Sequence, residues 1–129
     1  MSIFLAFDHG KKKIGVAIGD SLTGSARGLA AVPPEWALLE KIIKEWQPSD
    51  FVVGLPLDKD GGEQPATAAA RVFARTLTER YKKPVHLCDE RYSSIAAQSS
   101  LRAQGKNTER DDAEAARLIL EQYFNEAHA

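Results

Sequence analysis

The chain has 129 residues, 43% of them hydrophobic and 27% charged, with a formal net charge of −1 at pH 7. That length suffices for one α/β unit with a real core and not for two of ordinary size, so a single domain over residues 1–129 is expected. A near-neutral chain is not coated in basic residues for sequence-independent nucleic-acid binding, and no run approaches the roughly 18 apolar residues of a membrane span. The residues from Ile3 onward read as a strand instead of a basic, apolar leader, so the expected location is cytoplasmic, without a membrane partner. The one cysteine, Cys88, allows neither an intramolecular disulfide nor a thiolate metal cluster, and its apolar neighbours make it a buried, reduced thiol.

Ile3 to Phe7 is apolar throughout, and a strand apolar on both faces belongs at the centre of a sheet. It ends on Asp8, with Gly10 close behind, which leaves a carboxylate at the carboxyl edge of the sheet. An ionised side chain there is costly unless a cation or several donors meet it. Lys11-Lys12-Lys13 forms a tight turn into a second, antiparallel strand, in which Ile14, Val16 and Ile18 share a face. A third extended piece, about Arg27 to Val32, follows a turn containing Asp20, Ser21 and Gly24, and Pro33-Pro34 stops this meander. From Pro34, Leu38, Leu39, Ile42, Ile43 and Trp46 recur at helical spacing until Pro48 closes the segment. Phe51 to Gly54 is a buried strand reached by that helical crossover, hence parallel to another strand, with the first as the expected partner. After a polar loop, Pro65 opens a second helix whose apolar stripe is Ala66, Ala69, Ala70, Phe73 and Leu77. Pro84 to Cys88 is the next strand, Ser94 to Gln104 a third helix, and about Asp112 to Phe124 the last.

Acids stand at the ends of three of these elements: Asp8, Asp89-Glu90 and Asp111-Asp112. If the strands after the meander run parallel to the first, Asp8 and Asp89-Glu90 emerge on one rim, where open α/β sheets carry their sites. Asp111-x-x-Glu114 is a capping pattern, so Asp111 reads as the cap, and Asp112 as the first helical residue on the face of Ala116, Ile119 and Tyr123. Each acid also has an ordinary reading: a turn acid at Asp8, a salt bridge from Glu90 to Arg91, a helix-dipole partner at Asp112. Converging, they make an all-oxygen site without thiolate or His-x-x-x-His, suited to Mg²⁺ or Mn²⁺. A pair of such ions, roughly 3.5–4 Å apart, supports phosphodiester cleavage with no protein nucleophile.

The basic groups Lys11, Lys12 and Lys13, Lys82-Lys83, and Arg102, Lys106 and Arg110 read either as phosphate contacts or as solvated turns. Gly10 and Gly15 let the backbone turn tightly and approach a phosphate, but Val16 stands where a P-loop needs lysine, which removes a Walker ATPase. Arg91 could clamp a phosphate or pair with Asp89, and His9 could move a proton beside the metal or lie on the surface. Neither His86 nor His128 is a credible ligand.

The series Asp8-His9-Gly10, Lys13-Ile14-Gly15-Val16-Ala17, Val53-Gly54-Leu55-Pro56-Leu57, Asp60-Gly61, Asp89-Glu90-Arg91-Tyr92-Ser93-Ser94 and Asp112-Ala113-Glu114-Ala115-Ala116 with Ile119-Leu120 resembles the YqgF family, also called RuvX. The match covers nearly the whole chain in order; it departs at His9, Lys13, Gly19 and Tyr92-Ser93-Ser94, and none of these changes removes a carboxylate. The resemblance implies a ribonuclease-H-like α/β fold, a five-stranded mixed sheet in order 3-2-1-4-5 with helices on both faces. It also implies a metal-dependent nuclease related to Holliday junction resolvases and associated with maturing the 5′ end of 16S ribosomal RNA. The family's acidic positions fall on Asp8, Glu90 and Asp112.

The expected protein is therefore an endonuclease using Mg²⁺ or Mn²⁺ on structured RNA, with Gly10, Lys11, Lys12, Lys13, Arg91, Lys106 and Arg110 against the nucleic acid. A Holliday junction resolvase acting on branched DNA is the alternative enzyme, and it needs two symmetric cuts and hence a dimer. A non-catalytic nucleic-acid-binding module of the same fold is the alternative of another class. An actin-like kinase would need two domains around a nucleotide, which this length does not provide. The oligomeric state is left open.

Overall fold

The computed structural model describes residues 2–58, 60–89 and 108–127, with 108–111 described as backbone only. In chain order these form β1 (Ile3–His9), β2 (Ile14–Asp20), β3 (Ser25–Val32), α1 (Trp36–Trp46), β4 (Asp50–Leu55), α2 (Pro65–Tyr81), β5 (Val85–Asp89) and α3 (Thr108–Ala127). The helix expected over Ser94 to Gln104 lies outside the described residues. No helix among the described residues is long and apolar enough to cross a membrane.

The five strands make one sheet in the order β3-β2-β1-β4-β5. The meander β1-β2-β3 is antiparallel, and β1, β4 and β5 run parallel. The β1–β2 turn closes through the Gly10 N–H, which donates to the carbonyl of Lys13 at 3.1 Å. At the β2–β3 turn the Asp20 carboxylate accepts from the Leu22 N–H at 2.9 Å, and Gly24 takes a φ of 73°, where a side chain would be strained.

β1 shows why its sequence is apolar on both faces. Leu5 and Phe7 enter one cluster with Leu39 and Ile43 of α1 and Phe73 and Leu77 of α2. Phe4 and Ala6 enter a second with Ala116, Ile119, Leu120 and Phe124 of α3. Phe4 to Phe7 are thus each buried under one helical layer or the other, and the carboxyl ends of β1, β4 and β5 form a common rim. The row Phe7–Val53–Leu87 runs straight across the three parallel strands, so they end level.

Two local expectations are corrected. Along α2, Thr67, Ala70, Phe73, Ala74 and Leu77 are buried whereas Ala66 and Ala69 are exposed, because the helix turns Thr67 inward. Its hydroxyl donates to the Pro56 carbonyl and accepts from the Gln64 N–H at 3.0 Å, completing a capping box ahead of Pro65. At the other end of the chain α3 begins at Thr108, so Asp111 lies inside the first turn and is not the cap. Thr108-x-x-Asp111 is itself an earlier start signal of the same kind in the sequence.

Candidate active site

Asp8 sits one residue from the end of β1, on the ladder opposite Gly15 of β2. Strand alternation gives it the side of Phe4 and Ala6, which is the side covered by α3. Gly15 faces the same way, and the backbone of Asp112 lies directly on it. A Cβ built on Gly15 would fall 2.0 Å from the Asp112 carbonyl oxygen and 2.5 Å from its carbon. Asp8 flanks this glycine across the ladder, at the roughly 4.5–5.5 Å of a paired position, and Asp112 covers it from above. Residues separated by most of the chain therefore meet at one half-buried corner of the rim.

The same helix reaches β5. Gln122 Nε2 donates to the carbonyl of Asp89, the last residue of that strand, at 2.9 Å. Two strand spacings, about 10 Å, separate β5 from β1. Glu90 is the next residue in the chain and lies outside the described residues, as do Arg91 and Lys106. Arg110 belongs to the first turn of α3, described as backbone only. Among the described residues no three His, Cys, Asp or Glu side chains are grouped to hold a metal ion. The described contribution to the candidate centre is thus the pair Asp8 and Asp112.

Lys11 and Lys12 are exposed at the tip of the hairpin that begins beside Asp8, and Lys13 is half-buried at its return. Gly10 serves the turn, since a Cβ there would lie 2.7 Å from the Lys13 carbonyl oxygen. Gly15 does not offer its backbone to a phosphate, because α3 fills that space. His9 points away from the corner: its ring packs on Phe73 of α2 at 5.0 Å, and burial lowers its pKa, which favours the neutral ring. It is a packing residue, neither a surface histidine nor a proton shuttle beside the carboxylates. His86 contacts the Asp50 carboxylate at 2.8 Å and lies between Phe4 and Tyr123, at the end of the sheet remote from the rim. Cys88 is buried, its thiol directed at the Ile119 carbonyl. The corner therefore presents carboxylate oxygens without imidazole or thiolate from these residues, a donor set that fits a hard divalent cation.

The residues that sequence reasoning passed over are Thr67, Gln122 and Gly28, which seat the surrounding elements without a charge or motif to advertise them. Gly15, Gly19 and Gly28 carried the available signal: each would place a Cβ within 3.1 Å of an atom of the neighbouring structure.

An open sheet in this order, with α3 laid across it and acids at the carboxyl rim, defines a ribonuclease-H-like protein of the resolvase type. Thermus thermophilus RuvC in complex with a Holliday junction substrate is similar with a TM-score of 0.64 at 14% identity, covering 99% of this chain and 96% of that one. The yeast mitochondrial Holliday junction resolvase is similar with a TM-score of 0.57 at 8% identity, covering 94% and 77%. At such identities the likeness concerns the fold alone. The sequence model of the RuvX family, described as Holliday junction resolvase, matches residues 2–126, and the chain belongs to that family. Relatives from Salmonella arizonae and Escherichia coli, each named "Putative pre-16S rRNA nuclease", are 47% identical over 133 aligned positions covering 96% of each chain. The protein is a nuclease, a hydrolase whose substrate class is nucleic acid, and its resolvase-like family implies use of a divalent metal.

Proposed function

We propose that this protein is a cytoplasmic endonuclease that trims the 5′ end of precursor 16S ribosomal RNA, with Asp8, Glu90 and Asp112 holding Mg²⁺ or Mn²⁺ and residues 1–129 acting as one domain. The observation that carries the reading is the convergence of Asp8 and Asp112 on Gly15. The relatives' names supply the substrate. A divalent ion, when bound, supplies charge to the scissile phosphate and lowers the pKa of water. The chain's own residues do the rest. Asp8 is held by the β1–β2 ladder and Asp112 by the seat of α3, so the backbones that carry the two carboxylates are fixed before reaction. Glu90 joins them from the segment after β5. Lys11, Lys12 and Lys13 on the hairpin, with Gly10 at its turn and Arg91, Lys106 and Arg110, hold the phosphate backbone and set its register.

The deciding experiment offers precursor RNA and a four-way DNA junction to wild type and Asp8→Asn, with Mg²⁺ or Mn²⁺. Wild type is expected to cut the RNA at its 5′ side, and Asp8→Asn to lose at least 100-fold of that rate, on the order of removing one electrostatic contributor at an active site. Junction cleavage in preference to RNA would assign the resolvase reading instead. Nucleic-acid binding with no cleavage of either would assign the non-catalytic module, and equal cleavage by both proteins would remove Asp8 from the site.

A further inference from the structure

We propose that Gly15 is a positioning residue of the nuclease site: by having no side chain, it sets how closely the carboxylate of Asp112 stands to that of Asp8. The inference rests on reading Asp8 and Asp112 as metal-holding residues. The three atoms nearest a Cβ at position 15 are all backbone of α3: the Asp112 oxygen at 2.0 Å, the Asp112 carbon at 2.5 Å and the Ala113 nitrogen at 3.2 Å. None of these three is a flexible side-chain end that can swing aside. Ordinary contact needs about 3.5 Å, so alanine at this position drives the start of α3 off the sheet by on the order of 1 Å. Asp8, held in the ladder on the other side of Gly15, stays where it is. Octahedral Mg²⁺ sites hold oxygens at about 2.0–2.1 Å, so an ångström added between two ligands is a large fraction of a bond.

The other two glycines under α3 provide the contrast. At Gly19 the helix atoms in the way are side-chain ends, Leu120 Cδ2 at 2.8 Å and Phe124 Cε2 at 2.9 Å, together with the Ser25 carbonyl oxygen of β3 at 2.6 Å. That position is about 13 Å along β2 from Gly15. Gly28 meets Ala113 more gently, with its Cβ and oxygen at 3.1 Å. Alanine at 19 therefore disturbs packing at the far end of α3, and alanine at 15 displaces a proposed ligand.

Mn²⁺ binding measured by calorimetry, beside thermal melts without metal, separates the two effects. Gly15→Ala is expected to weaken Mn²⁺ more than 10-fold, and Gly19→Ala less than twofold even where its melting temperature falls as far. In the Gly15→Ala background, Asp112→Glu is expected to recover part of the affinity by adding one methylene of reach, whereas Asp112→Glu alone weakens Mn²⁺ about 10-fold. That last measurement stands if Gly15→Ala does not fold, because a spacing set by Gly15 suits aspartate and not the longer acid. Affinity losses at 15 and 19 that simply track melting temperature, or wild-type affinity in Asp112→Glu, would overturn the role of Gly15 and leave the metal reading intact. If wild type binds no Mn²⁺, or Asp8→Asn binds it equally well, the metal reading itself fails and this inference with it.

Discussion

Tyr81, the last residue of α2, packs its ring on Phe51 at 5.8 Å and leaves its hydroxyl buried near Arg80 without a well-formed hydrogen bond among the described residues. Burial raises its pKa, with Glu40 adding in the same sense and Arg80 opposing. A raised folded-state value means that the unfolded chain releases its proton first. The associated stability is present below the ordinary tyrosine range, about pH 10, and is lost as pH rises through the folded value. Tyr81→Phe removes a buried donor that makes no well-formed hydrogen bond, so it is expected to be neutral or to stabilise by about 1 kcal/mol at pH 7. Its melting temperature should also fall less steeply above pH 10 than that of wild type. Some alkaline slope will remain, because burial raises Tyr123 as well. Melts at pH 7, 9 and 10.5 check both expectations.

At the scale of elements, the site is held by struts that carry no chemistry. Thr67, fully buried, joins the first turn of α2 to the Pro56 carbonyl just after β4. Between them the loop folds on Asp58, whose carboxylate accepts from the N–H groups of Asp60 and Gly62 at 2.9 and 2.7 Å. Glu63 then pairs with Arg71 through two hydrogen bonds, at 2.9 and 3.1 Å. Thr67→Val keeps the shape and removes the hydroxyl, leaving the Pro56 carbonyl and the Gln64 N–H without this partner. The expected cost is about 2 kcal/mol, read as a lower urea midpoint with an unchanged slope. The helical period of α2 and its buried positions Ala70, Phe73 and Leu77 were legible, but the edge of the stripe was not. Alanines at 66, 69, 70 and 74 give hydropathy little to choose between, and the Thr67 contact to a residue eleven positions away set the edge of the buried stripe in the first turn. The start of α3 was misplaced for a related reason: two capping patterns overlap, and local sequence does not rank them.

Across the whole molecule, metal and fold are linked. A ligand that binds only the folded chain stabilises it by about 2.7 kcal/mol at 100 times its dissociation constant. If Asp8 and Asp112 hold the ion, adding Mn²⁺ at that excess raises the melting temperature of wild type by several degrees, and a chelator reverses the rise. Asp8→Asn should melt at one temperature with or without Mn²⁺. Thermal scans of the two proteins, each with Mn²⁺ and with chelator, test this, and a common shift in both would place the stabilising ion elsewhere.

The sequence by itself determined the sheet and the acid at its edge. The antiparallel meander, the helical crossover to a parallel strand and the place of Asp8 at the end of a doubly buried strand follow from periodicity, turn residues and connection length, which are local properties, whereas the full order β3-β2-β1-β4-β5 was what the resemblance to the RuvX family implied. Only the tertiary structure decided that Asp112 comes to rest on Gly15, that α3 ties the end of β5 through Gln122, and that the rings of His9 and Phe73 meet on the opposite face. Each of these is a contact between residues distant in the chain. Its energy depends on how closely two packed surfaces approach, and that distance is fixed by the layers together and by no segment alone.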